Sequence, residues 1–384
     1  MKKKKILFLT RTLGRAGVGV SLVSVLQNLD FSKFDVTLGV QFPEKELESE
    51  LPDNIKVVYY GEITSKLYRR IFDFNSSIRN KGGAYKVLWK ALNQLEKIRM
   101  RYKVCRCFNE VYDTANAYHQ GMASKYVIQH IRAKKKIMWY HAAVIEQPWY
   151  KRTFSKADLI ISDSENARKV MINEWGAIFS DRIVSLHPLI PVEHIENKAN
   201  INVNLKVGSD ATVIMSCGRM SPEKGMDLAA KAVPVIKNRI PELNFVWLFV
   251  GDGSELESIK EFVKQNSLDN NIVFLGYQDN PYPYFKKCDI YVQPSRLECF
   301  GITMSEALVF KKPVISTKTA GGLEHITDGV NGLLCEIDEN SIADAVIRLI
   351  TDKDLSDKIK KNVESNDYLK VRENSIEFIN RVQK

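Results

Sequence analysis

Along this chain, short runs of branched and aromatic residues alternate with stretches whose apolar positions recur at helical spacing. Runs at residues 5–10, 35–40, 55–59, 115–119, 136–140 and 158–161 read as buried strands, with helical stretches between several of them, the first at 20–29. The pattern starts again at 212–217 and continues through 245–251, 272–275 and 289–292, with helical spacing at 303–310 and 341–350. Strand and helix in alternation predict a parallel sheet covered on both faces, whose strands need no polar side. Between the two sets lies Leu186-His-Pro-Leu-Ile-Pro-Val192, where two prolines within four residues mark an interdomain connection. A chain of 384 residues also exceeds what one hydrophobic core usually serves. The expected division is therefore 1–188 and 189–366, with a charged helical tail at about 367–384.

Composition changes this picture little, except in one place. With 45% apolar and 27% charged residues the chain has an ordinary globular balance. Six cysteines, of which only Cys105 and Cys107 lie close together, give neither a disulfide framework nor a zinc pattern, so a reducing cytoplasm is expected. The opening Met-Lys-Lys-Lys-Lys resembles an export signal, but its apolar run stops at Arg11, too short for that role. No stretch approaches the roughly 20 apolar residues of a membrane span. The exception is charge. Residues 66–106 hold twelve Lys and Arg against Asp73 and Glu96, an excess that by itself equals the chain's +10. Apolar residues such as Leu67, Phe72, Leu88, Trp89 and Met100 are interleaved there. That mixture suits an interfacial amphipathic helix pair on an anionic membrane, a solvated helix face, or a nucleic-acid footprint, although no nucleic-acid module accompanies it.

Candidate chemistry concentrates at strand ends. In Pro294-Ser-Arg-Leu-Glu-Cys-Phe-Gly-Ile-Thr-Met-Ser-Glu-Ala-Leu308, Glu298 and Glu306 stand eight residues apart around Gly301, which opens a helix. A largely helical separation of about 12 Å is too wide for a hydrolase acid/base pair, whose carboxylates flank one bond at about 5 to 9.5 Å. Either the two hold opposite ends of one elongated ligand, or Glu298 caps a helix and Glu306 makes a surface ion pair. Gly218-Arg-Met-Ser-Pro-Glu-Lys-Gly225 follows a strand and offers Arg219 and Lys224, two cations able to converge on a diphosphate beside a glycine that allows close approach. Cations at a helix start oppose the helix dipole and call for an anion. The glycine-rich loop 11–19 follows the first strand, but Gly14, Gly17 and Gly19 do not give the dinucleotide fingerprint. His141 sits just past a strand, where a histidine is either structural or a ligand contact. No convincing Asp-x-Asp metal site is present; Asp163-Ser-Glu165 approaches one at the mouth of a helix.

Glu298 to Glu306, Pro313-Val-Ile315 and Thr319-Ala-Gly-Gly-Leu-Glu-His-Ile-Thr-Asp-Gly-Val-Asn-Gly-Leu333 together resemble the Glu-x7-Glu donor site of the retaining glycosyltransferases of family 4. The resemblance runs over nearly the whole chain and is most specific from about Cys217 to Leu333. It implies the GT-B fold: α/β, with two Rossmann-like doubly wound domains facing a central cleft, an acceptor-binding first half and a donor-binding second half, the terminal helix crossing back to the first. It implies that Glu306 meets the ribose hydroxyls and Glu298 the sugar hydroxyls, with Cys299, Phe300, Gly301 and Ile302 alongside. By the same resemblance Gly17 and its neighbours approach the donor diphosphate, Gly218 lies close to the donor, Tyr277 holds the base, and His141 reaches the sugar and phosphate. At 187–188 the family's usual Asn-Gly or Asn-Pro with an aspartate is replaced by His-Pro, so no role transfers there. Lys311 stands where relatives carry a helix-ending glycine.

The resulting expectation is a metal-independent enzyme with no cofactor beyond a nucleotide-sugar co-substrate, UDP-linked. It would transfer a hexose, with retention, to a glycan or lipid-linked acceptor in cell-surface polysaccharide synthesis. It would be cytoplasmic, peripheral at the inner face of the membrane, and would bind no nucleic acid. Lys224 and Arg219 would neutralise the leaving diphosphate. The rivals are a nucleotide-sugar epimerase or a phosphorylase of the same architecture, and a non-catalytic binding subunit, against which the set Arg219, Lys224, Glu298 and Glu306 argues.

Overall fold

The computed structural model describes residues 2–14, 17–61, 84–142, 149–205, 207–208, 210–364 and 368–383. Residues 66–83 of the basic segment, and Arg15 and Ala16 of the glycine-rich loop, lie outside the described residues.

The branched runs form two parallel sheets. The first joins β1 (Lys4–Thr10), β2 (Phe34–Val40), β3 (Ile55–Tyr59), β4 (Val111–Ala117), β5 (Arg132–Tyr140), β6 (Leu159–Ser162) and β7 (Ile183–Ser185) in the order β3-β2-β1-β4-β5-β6-β7. The second joins β8 (Thr212–Cys217), β9 (Phe245–Val250), β10 (Ile272–Gly276), β11 (Ile290–Gln293), β12 (Val314–Thr317) and β13 (Gly332–Cys335) in the order β10-β9-β8-β11-β12-β13. Central strands are apolar throughout because helices cover both faces: Ile6 to Leu9 and Trp247 to Phe249 are fully buried. In each sheet the order reverses beside the first strand, between β1 and β4 and between β8 and β11. That is where an open α/β sheet leaves a crevice at its carboxyl edge.

Several boundaries differ from expectation for identifiable reasons. β4 begins at Val111 rather than 115, because Asp113 and Thr114 are polar yet paired: Asp113 accepts from the Lys5 amide and from Lys134. β5 begins at Arg132 rather than 136, its lysines reaching acceptors at Asp113, the Val382 carbonyl and the Ile128 carbonyl. The first helix starts at Gly17, three residues early. Strands of three or four residues, such as β7, β12 and β13, are too short to show a period. Ser164 caps the helix Glu165–Trp175 as its position suggests, accepting from the Ala167 amide. Lys311 has φ of 58°, the left-handed conformation that the helix-ending glycine of relatives suits.

The core divides between Leu189, which packs with the first domain, and Ile190, which packs with the second. The helix Tyr368–Val382 returns to the first domain, where Ile379 and Val382 enter its core. Asn380 bonds the backbone of Asn28 and Asp30, while the Gln383 amide pairs with that of buried Asn116 at 2.9 and 3.2 Å.

Candidate functional site

The two carboxyl edges face one another across a cleft of about 700 Å³, within the range of small-molecule sites. All twelve residues singled out in the sequence line it: Gly17, His141, Gly218, Arg219, Lys224, Tyr277, Glu298, Cys299, Phe300, Gly301, Ile302 and Glu306.

Two glycines bring the loops after β8 and β11 together. Gly225 has φ of 64°, and a Cβ there would lie 2.1 Å from the Pro294 carbonyl oxygen, so only glycine permits this approach. The Glu223 carbonyl then accepts from the amides of Arg296 and Leu297. Lys224, between these ties, is thereby brought to Glu298: Nζ lies 2.7 Å from Oε2. The same oxygen accepts from Gln293 Nε2 (3.1 Å) and Ser295 Oγ (3.3 Å). Gln293 is itself oriented by the hydroxyls of Tyr291 and Thr303, which donate to its Oε1. Glu298 is thus mostly buried and fixed through one oxygen by three donors, the preorganised state a ligand-binding carboxylate needs. Gly301, at φ of 84°, turns the chain into the helix Ile302–Val309, where a side chain would collide with Met304.

Glu306 is in the opposite condition. Its carboxyl is buried on that helix, and its Oε1 accepts from Tyr282 at 3.2 Å. Burial pushes it up to about 7, the tyrosine bond offsetting only part of the effect. Arg219 is mostly exposed and 3.7 Å from Glu223, so its guanidinium is available to a ligand anion. Burial also raises Cys217 and Cys299, which stay thiols. Tyr277 stands exposed in the cleft wall.

From the first domain, Gly17 opens the helix Gly17–Gln27 opposite Ile302, whose Cδ1 would lie 3.3 Å from a Cβ at that position. His141 lines the cleft with both ring nitrogens held by its own domain. Its Nδ1 lies 2.9 Å from the Asp163 carboxylate and its Nε2 2.7 Å from the Tyr118 carbonyl, so a direct bond to a donor requires one of these to be given up. Two oxygen acceptors need two N–H donors. Burial opposes charge on the ring, but Asp163 and the Tyr118 carbonyl outweigh it and raise its pKa.

One residue to which the sequence pattern assigns no role is Glu324. From the helix Ala320–His325 of the second domain it crosses to the first, where it accepts from the amides of Glu165 (3.1 Å) and Asn166 (3.2 Å) and from His187 (2.7 Å). Ser164 completes the contact by donating to the Cys299 carbonyl at 2.8 Å. Burial works against the Glu324 charge, yet these donors hold it down to about 2. Its depressed carboxyl stabilises the closed arrangement at pH above about 4.5, an advantage lost as pH falls toward 2. Glu324→Ala is expected to loosen the domains, seen as a larger radius of gyration in small-angle scattering at pH 7, with little change for a variant on an exposed helix such as Glu257→Ala. An unchanged radius would mean that the bond does not hold the domains.

Residues 197–366 match the family Glycosyl transferases group 1. This group 1 region coincides with the second sheet and the loops carrying Arg219, Lys224, Glu298 and Glu306. The chain is 29% identical over 56% of its length to an uncharacterized glycosyltransferase of Methanocaldococcus jannaschii, covering 56% of that protein. It is 27% identical over 59% of its length to the Campylobacter jejuni N-acetylgalactosamine-N,N'-diacetylbacillosaminyl-diphospho-undecaprenol 4-alpha-N-acetylgalactosaminyltransferase, covering 61% of it. The chain thus matches little more than half the length of these relatives. Across nearly the full chain it is similar in structure to HepE of Anabaena, solved in complex with UDP-glucose: TM-score 0.72 at 19% identity, with 98% of this chain and 100% of that one covered. The architecture is the GT-B fold.

Proposed function

We propose that this protein is a retaining glycosyltransferase of family 4, transferring a sugar from a UDP-linked donor to a glycan or lipid-linked acceptor held by the first domain. The observation that carries the reading is the convergence in one cleft of Lys224, Arg219, the preorganised Glu298 and the buried Glu306. These fit the parts of a nucleotide sugar in order. Glu306 accepts the ribose hydroxyls, Arg219 and Lys224 meet the diphosphate, and Glu298 orients the sugar hydroxyls. As the glycosidic bond breaks, negative charge grows on the leaving diphosphate, and fixed cations in an enclosed site stabilise that state more than the ground state. Closure by Ser164 and Glu324 excludes water and so favours transfer over hydrolysis. Retention rests on the resemblance of residues 298–306 to the family's donor site. The solved neighbour, which binds UDP-glucose, supports a UDP-linked donor, and the relative named for a diphospho-undecaprenol acceptor supports a lipid-linked acceptor. The setting we assign is cell-surface polysaccharide or glycolipid synthesis on the cytoplasmic side of the membrane, with no cofactor beyond the nucleotide sugar.

The test is to screen UDP-sugars for a melting shift, then incubate each binder with and without glycan and lipid-linked acceptors and read the product's anomeric configuration by NMR. Transfer requiring an acceptor, unaffected by chelator, is the expected result. Conversion of the donor alone would favour an epimerase on the same fold. Activity abolished by chelator and restored by manganese would overturn the assignment of charge neutralisation to Arg219 and Lys224.

A further inference from the structure

The helix Ala84–Cys107 packs inward through Met100 and Val104. Its opposite side carries a second apolar stripe. Leu95, Ile98 and Tyr102 are 63%, 57% and 64% exposed, and Cys105 is exposed with them. These positions follow one another by three, four and three residues, so they form one line along the helix. Lys97 and Arg101 flank the line on one side and Arg106 on the other, all exposed. The helix's one acidic residue, Glu96, is already neutralised by a two-point bond from Arg99 at 2.9 and 3.0 Å.

The neighbouring helix Met122–His130 extends the positive field instead of balancing it. Burial lowers the pKa of Lys125, and the positive charge of Lys97 nearby acts in the same direction, so the two cations share one face. Lys125 also sits 3.7 Å over the ring of Trp149, an aromatic side chain suited to a headgroup region. A solvated helix face would interleave acids with these bases and leave fewer large apolar side chains in water. Leucine, isoleucine and tyrosine in a line offer no hydrogen-bond pattern for reading nucleic-acid bases.

We propose that the outer face of helix Ala84–Cys107, together with Lys125 and Trp149, docks on an anionic lipid bilayer, the apolar stripe entering the headgroup boundary and the flanking bases meeting lipid phosphates. This inference does not rest on the transferase reading, and it is tested without donor or acceptor.

The experiment is vesicle flotation of the full chain with equal parts phosphatidylglycerol and phosphatidylcholine, or with phosphatidylcholine alone. The protein should float with the anionic vesicles only and be released by about 0.5 M salt, where screening shortens to a few ångströms. Lys97→Gln with Arg101→Gln should weaken binding about thirtyfold. Leu95→Ser with Ile98→Ser should weaken it at least about tenfold even at low salt. Unchanged solution melting of both variants guards against loss of fold. Equal flotation with both vesicle types, no flotation with either, or parental binding by both variants overturns the proposal. Capture by a DNA duplex or heparin under conditions where anionic vesicles are not bound would overturn it in favour of a soluble polyanion.

Discussion

Replacing Glu306 with glutamine is expected to make the protein harder to melt and nearly unable to hold a nucleotide. The carboxyl is buried, with Tyr282 as its hydrogen-bond donor and a pKa of about 7, against 4.5 for the unperturbed group. A raised carboxyl binds more protons folded than unfolded between those two values, so its contribution to stability falls as pH rises from 4.5 to 7 and stays at its lowest above that. The full cost is about 3 kcal/mol. The neutral amide introduced by Glu306→Gln would escape it while keeping an oxygen for Tyr282. The melting advantage of Glu306→Gln should therefore vanish near pH 4.5, grow through pH 7 and then level off. Binding should move the other way. A carboxylate accepting two ribose hydroxyls gains about 1.5 to 3 kcal/mol from each, and the amide loses most of that. Calorimetry of UDP should show wild-type affinity weakening below pH 7, with proton release on binding at that pH, and a weak, pH-independent affinity for the variant. A Glu306→Gln variant that binds UDP as well as its parent would remove Glu306 from the nucleotide site.

Glu298 and Lys224 are expected to separate binding from turnover. Glu298→Ala should leave UDP affinity intact, because its carboxylate faces the sugar, and should lose the sugar's share of UDP-sugar affinity. Turnover should fall further, since the anomeric carbon is no longer held in line. Lys224→Ala should weaken UDP itself through the diphosphate and lower turnover by about 10²- to 10³-fold, the usual loss for one donor aimed at developing charge. Because Lys224 and Glu298 are bonded at 2.7 Å, the double variant should lose less than the two single losses combined. UDP and UDP-sugar affinities, with single-turnover rates, decide this. Equal losses of UDP affinity in Glu298→Ala and Glu306→Ala would refute the division between the two carboxylates.

Much of this was legible in the sequence, for reasons that can be named. Phe245 to Val250 announces a strand because six apolar residues in a row that end at Gly251 are strand length and too few for a buried helix. Glu298, Gly301 and Glu306 are close in sequence, so their loop and helix could be read locally. What escaped depends on distance along the chain. Glu324 reads as an ordinary acid in Leu-Glu-His, because the amides it caps lie 159 and 158 residues away. At His141 the sequence leaves a structural role and a ligand contact both open, because the carbonyl of Tyr118 and the carboxylate of Asp163 that hold its nitrogens belong to two other strand ends. Gly225 reads as no more than the end of a motif. Its conformation matters because the Pro294 carbonyl passes 2.1 Å from where a side chain would begin.

The seating of Ile379, Val382 and Gln383 on the first sheet bears on how the protein is made. A ribosome finishes residues 1–189 long before it reaches these positions, yet Asn116 lacks its bonds to Gln383 and the core lacks two aliphatic side chains until they emerge. The second domain, whose core draws on residues 190–363, can close while the first still waits. The half of the chain synthesised first is thus the half completed last, and a fragment ending at Leu189 would be released with an open core that chaperones and proteases recognise.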